Sequence, residues 1–106
     1  MAKFLWKASY TSDGVKGVLK EGGTGRQAAV EKVVEGLGGK VEAFYFALGE
    51  HDVYVITELP DTVAATAVSL TVNASGIVAL QTVELLNPDQ VDEASKKSID
   101  YLPPGA

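Results

Sequence analysis

Three consecutive runs decide the fold: Lys40-Val-Glu-Ala-Phe-Tyr-Phe-Ala-Leu48, Gly49-Glu-His-Asp52 and Val53-Tyr-Val-Ile-Thr-Glu-Leu59. The first and third are rich in aromatic and β-branched residues, as strands are. The short polar interval between them reads as a hairpin connection. Within it, Gly49 is expected to take a left-handed backbone, and Asp52 to accept hydrogen bonds from local amides. Period two sets Val53, Val55 and Leu59 on one side of the later strand and Tyr54 and Ile56 on the other. Ala43 to Leu48 is apolar on both sides.

Upstream of the hairpin, Arg26 to Leu37 carries Val30, Val33, Val34 and Leu37 at i, i+3, i+4 and i+7, a helical stripe ended by Gly38-Gly39. Gly22-Gly-Thr-Gly25 before it reads as a flexible linker, because no Gly-Lys-Ser/Thr follows to make a phosphate loop. Val15, Val18 and Leu19 suggest a short helix after Thr11-Ser-Asp-Gly14. Lys3 to Tyr10 is a strand, with Phe4, Trp6, Ala8 and Tyr10 on one side and Leu5, Lys7 and Ser9 on the other. Downstream, Pro60-Asp61 opens a second long helix that runs to about Ala74 and stops at Asn73 to Gly76. Ile77 to Leu86 is the fourth strand. Asn87-Pro88-Asp89 starts a short terminal helix, and Tyr101 to Ala106 is irregular.

The order β-α-β-β-α-β is the split βαβ, ferredoxin-like arrangement of the α+β class. It predicts a four-stranded antiparallel sheet with both long helices on one face, plus a short C-terminal helix, in a single domain over residues 1–106. The uncovered face of such a sheet ordinarily alternates to polar residues, but the strands here are apolar on both sides. That face is therefore expected to be buried against a second copy, in a homodimer or higher homo-oligomer. The terminal segment, with Val91, Ala94, Ile99, Tyr101 and Leu102, is the other possible cover and is too short for four strands.

Composition excludes several function classes. The chain has 106 residues, no cysteine and one histidine, so thiolate chemistry, disulfides and multi-histidine metal sites within one chain are ruled out. The net charge of −5 argues against nucleic-acid or anionic-membrane partners. No run reaches the length of a membrane span and no signal-peptide pattern is present, so a cytoplasmic protein is expected. No cofactor is called for.

The residues Thr11-Ser-Asp-Gly14, Leu37-Gly-Gly-Lys-Val-Glu-Ala-Phe-Tyr45, Leu48-Gly-Glu-His-Asp-Val-Tyr-Val-Ile56 and Glu58-Leu-Pro-Asp61 resemble the GYD domain family, over about residues 4–86. The family's eponymous glycine followed shortly by Tyr-Asp maps to Gly49, His51 and Asp52, with His51 in place of the tyrosine. The resemblance implies a ferredoxin-like domain of the dimeric α+β barrel type. Barrels of that type include cofactor-free monooxygenases, haem-degrading enzymes and small-ligand sensors, so fold analogy leaves the reaction open.

Candidate functional residues follow from residue chemistry. His51 is the one side chain with an ordinary pKa near neutrality and is the candidate catalytic base. The sheet aromatics Trp6, Tyr10, Phe44, Tyr45, Phe46 and Tyr54 are either core packing or the lining of a pocket. From them Trp6, Tyr45 and Tyr54, with His51 and Asp52, are the candidate ligand-binding residues, since aromatic walls with polar handles suit a small apolar or aromatic molecule. Glu58 and Glu84 interrupt apolar strands and are either buried bases or solvent-facing strand-end residues. Three readings stand: an oligomeric domain binding a small apolar or aromatic molecule, a cofactor-independent monooxygenase-like enzyme with His51 as base, and a pure assembly module. A cavity between sheet and helices separates the third from the others.

Overall fold

The computed structural model describes all 106 residues, in the order β1 (Ala2–Tyr10), α1 (Ser12–Glu21), α2 (Gly23–Gly36), β2 (Lys40–Phe46), β3 (Val53–Leu59), α3 (Thr62–Ala74), β4 (Val78–Leu85) and α4 (Pro88–Ser95). The strands form one antiparallel sheet in the order β2-β3-β1-β4. This is the ferredoxin-like arrangement expected from the pattern.

The helix starts follow local chemistry. Asp61 caps α3, its carboxylate accepting from the Ala64 amide at 2.9 Å. Asn87 and Gln90 form a reciprocal capping box at α4, each side chain accepting from the other's amide at 2.9 Å. Gly22 alone, at φ +79°, separates α1 from α2. The expected linker over 22–25 is therefore corrected: helix resumes at Gly23, which lies against the Phe46 ring, where a Cβ would sit 3.2 Å from a ring carbon. Gly49 is corrected too. Its φ is not positive and a Cβ there meets nothing, so the turn does not require glycine. The constrained glycine is Gly39, whose Cβ would collide with the Glu58 carbonyl.

Phe4, Trp6 and Ala8 of β1 and Val53, Val55, Thr57 and Leu59 of β3 face the helices and are buried. They pack with Val34 of α2 and with Ala65 and Val68 of α3. Both long helices therefore share one face of the sheet. A bulge between Val41 and Ala43 shifts the β2 register. Val41, Phe44 and Phe46 pair with Thr57, Val55 and Val53 on the helix side, while Ala43 and Tyr45 pair with Ile56 and Tyr54 on the open side.

The open face has an apolar centre of Leu5, Ala43, Ile56 and Val83, placed there by the strand registers. Its rim toward the start of β1 is charged: Lys3 pairs with Glu42 at 3.1 Å and Lys40 with Glu58 at 3.6 Å. Neither α4 nor the tail covers this face. All residues from Leu86 onward are exposed, and α4 packs on no strand or helix to a substantial extent. The C-terminal segment projects, so the radius of gyration is 16.9 Å, against about 13 Å for a compact chain of this length.

Candidate ligand-binding site

A cavity of about 80 Å³ lies between the helix-facing side of the sheet and the two long helices. Its origin is readable in the register. Ala8 sits between Val53 of β3 and Leu80 of β4, so the middle of the floor has a small side chain where its neighbours are large. Val30 and Val33 of α2 and Val68 and Val72 of α3 close over it. Every lining side chain except Arg26 is aliphatic or aromatic.

Polar groups gather at one end. Tyr10, the last residue of β1, and Arg26, in the first turn of α2, both line the cavity. Burial holds the Tyr10 phenol above its ordinary pKa of 10.0, Arg26 opposes that shift, and Asp52 and Glu21 add to it. The phenol therefore stays protonated throughout the neutral range. Glu21 lies 3.9 Å from the Arg26 guanidinium. Trp6 is only 3% exposed and lines the wall, and its indole N–H has no acceptor. A buried donor without a partner is costly and marks the wall as incomplete in polar terms.

Asp52 has a different partner from the one expected. Its carboxylate accepts from the Tyr10 amide at 2.8 Å, and its own amide donates to the Ala8 carbonyl at 2.9 Å. Rather than serving amides within the turn, it ties the hairpin to the end of β1 and so fixes Tyr10 at the cavity. His51 lies on the other side. Its Nδ1 is 3.3 Å from the Ser9 hydroxyl, and its ring meets Tyr54 edge-on with centroids 5.9 Å apart. Ser9 and Tyr54 belong to the open face by register.

The candidates named from the sequence thus fall into two places. Trp6 is in the cavity wall under the helices. Tyr45, Tyr54 and His51 stand on the open face, and none of the three lines the cavity. Tyr45 is 70% exposed. Glu58 is paired with Lys40 and Glu84 is exposed, so neither is a buried base. Of the sheet aromatics, Tyr10 and Phe44 line the cavity with Trp6, while sequence reasoning passed over Ser9 and Arg26 as site residues. For Arg26 the signal was present: it stands four residues before Val30 and seven before Val33, a charge on the apolar stripe itself.

No group of three metal-ligating side chains is close enough to hold an ion, and no helix is long and apolar enough to cross a membrane. No curated protein and no solved structure matches the chain. The family model described as the GYD domain matches residues 4–95, taking in all four helices and all of the strands except the first two residues of β1. On that match the chain belongs to the GYD domain family.

Proposed function

We propose that the protein is a homo-oligomeric domain, at least a dimer, in which each protomer binds a small apolar molecule between its sheet and helices. The observation that carries the binding reading is the cavity: a concave apolar space with a few polar groups at one end is the usual form of a small-molecule site. Trp6 is the only tryptophan and stands in its wall. Titration with 3-methylbutan-1-ol, followed by Trp6 fluorescence, is expected to give a saturable change. No change at millimolar concentration refutes the reading.

The dimer reading rests on the open face. Its centre is apolar and the chain's own C-terminal segment leaves it uncovered. Its charges also suit a second copy: Lys3, Lys7 and Lys40 stand against Glu42 and Glu58 on a chain whose overall charge is −5. Four strands about 4.8 Å apart, each about 26 Å long, present roughly 500 Å². Two such faces bury roughly 1,000 Å², the lower bound for a specific interface. Ile56, central on that face, is the test position. Ile56→Glu is expected to yield monomer in sedimentation where the wild type sediments as a dimer, and a wild-type monomer at micromolar concentration refutes the assignment.

One observation favours a second reading, a cofactor-independent enzyme with His51 as base. His51 is half-buried, with a hydroxyl and an aromatic ring at hand. Loss of a general base lowers a rate by about 10²–10⁴-fold. His51→Ala with unchanged turnover of any substrate found would exclude that role.

A further inference from the structure

The charge pattern of the cavity narrows its ligand. Arg26 is the single charged side chain on a wall that is otherwise hydrophobic, and no carboxylate lines that wall. It enters from the first turn of α2, whose N-cap Gly22 supplies no side-chain acceptor and whose first turn has no acidic residue. The positive end of the helix dipole therefore adds to the guanidinium at the same end of the cavity. Two carboxylates stand near that end: Glu21, which is 3.9 Å from the guanidinium and so beyond hydrogen-bonding distance, both side chains being partly exposed, and Asp52, whose carboxylate already accepts from the Tyr10 amide at 2.8 Å. A guanidinium has five N–H donors in a rigid fork, so Glu21 and the Tyr10 phenol leave several unused.

We infer that the cavity takes a short aliphatic carboxylate, its alkyl group among the valines and its carboxylate on the Arg26 guanidinium. This assignment rests on the reading that the cavity binds small apolar molecules. A carboxylate matches the guanidinium fork bidentately and carries one charge for one cation. A phosphate dianion would bring a second charge into an apolar wall that has no second cation to meet it. Size sets the chain length. The volume of about 80 Å³ is roughly half that of the engineered apolar cavity of about 150 Å³ that holds benzene. Only the short branched alkyl group of such an acid, smaller than benzene, enters a space of this size, with the carboxylate outside it at the partly exposed Arg26; a long fatty chain does not fit.

The test compares two probes of the same carbon skeleton, 3-methylbutanoate and 3-methylbutan-1-ol, by Trp6 fluorescence in the wild type, Arg26→Met and Arg26→Lys. The acid is expected to bind the wild type about tenfold or more tightly than the alcohol, since a hydrogen-bonded charge contributes at least that factor. Arg26→Met is expected to abolish the preference while the alcohol's affinity holds, and Arg26→Lys to keep part of it through charge alone. Equal affinity of the two probes for the wild type, or a preference unchanged in Arg26→Met, overturns the carboxylate assignment and leaves the cavity reading standing. Failure of both probes to perturb Trp6 overturns both.

Discussion

Filling the cavity from below provides the strongest test of the site, and Ala8→Leu is the substitution that does it. Ala8 is 8% exposed, faces the helices and lines the space between Val53 and Leu80. A void costs about 24 cal/mol per Å³. Over about 80 Å³, that rate sets an upper limit of roughly 2 kcal/mol recoverable by complete filling. The three added carbons enter a space already shielded on most sides, at about 0.8 kcal/mol for each CH₂ fully buried. Overpacking opposes this by about 1–3 kcal/mol where the new side chain does not fit. The net expectation is a gain of about 1 kcal/mol, which raises the melting temperature by about 4–8 °C for a domain near this size. Thermal unfolding by circular dichroism measures it. The same variant should lose the fluorescence response to 3-methylbutan-1-ol, because the leucine occupies the ligand's place. A melting temperature lowered by more than a few degrees would mean that the space above Ala8 is not available to a side chain. A stabilised variant that still binds the alcohol would place the ligand elsewhere.

Four further outcomes follow from the geometry. Gly39→Ala should destabilise by more than about 1 kcal/mol, since its Cβ collides with the Glu58 carbonyl. Gly49→Ala, whose Cβ meets open space, should stay within about 0.5 kcal/mol, and equal melting temperatures for the two variants would contradict this account of the hairpin. Asp52→Ala should cost about 1–3 kcal/mol in denaturant unfolding, by leaving the half-buried Tyr10 amide without its acceptor; an unchanged midpoint would mean that the hairpin holds β1 by other contacts. Burial raises the Tyr10 pKa in the folded state, so the unfolded chain releases that proton first as pH rises. The stabilising difference is complete below the ordinary value of 10.0 and is lost as pH climbs through the folded value. Tyr10→Phe should therefore unfold less readily than the wild type on alkaline titration, and identical alkaline profiles would assign the loss to other groups.

Much of the architecture was legible in the amino-acid order because it depends on short-range chemistry. The Val30, Val33, Val34 and Leu37 stripe, the Asp61 cap and the Asn87-Pro88 start each act within one or two helical turns. Alternation along Phe4, Trp6 and Ala8 assigned the β1 faces correctly, since side chains on a regular strand must alternate. The β2 faces were not legible. The bulge at Glu42 inserts one residue and resets the alternation, bringing Val41 to the helix side together with Phe44 and Phe46, and a pattern of period two has no means of marking where it breaks. Gly49 and Gly22 show the same limit: both sit beside polar residues, yet only Gly22 needs a positive φ, because only there must two helices join without a spacer.

The site depended most on tertiary structure. The aromatic residues and the lone histidine could be named from the sequence, but their sheet faces separate Trp6 from Tyr45, Tyr54 and His51. The pairing of Ser9 with His51 spans 42 residues, and that of Tyr10 with Asp52 likewise. Neither leaves a trace in local order. The sequence by itself determined the elements, their order and the apolar character of both sheet faces, because propensity, capping and alternation act over a few residues. Only the tertiary structure decided that a small side chain at Ala8 would leave a space under the helices and that Arg26 would stand at its end, because voids and convergent charges are properties of registers between distant strands.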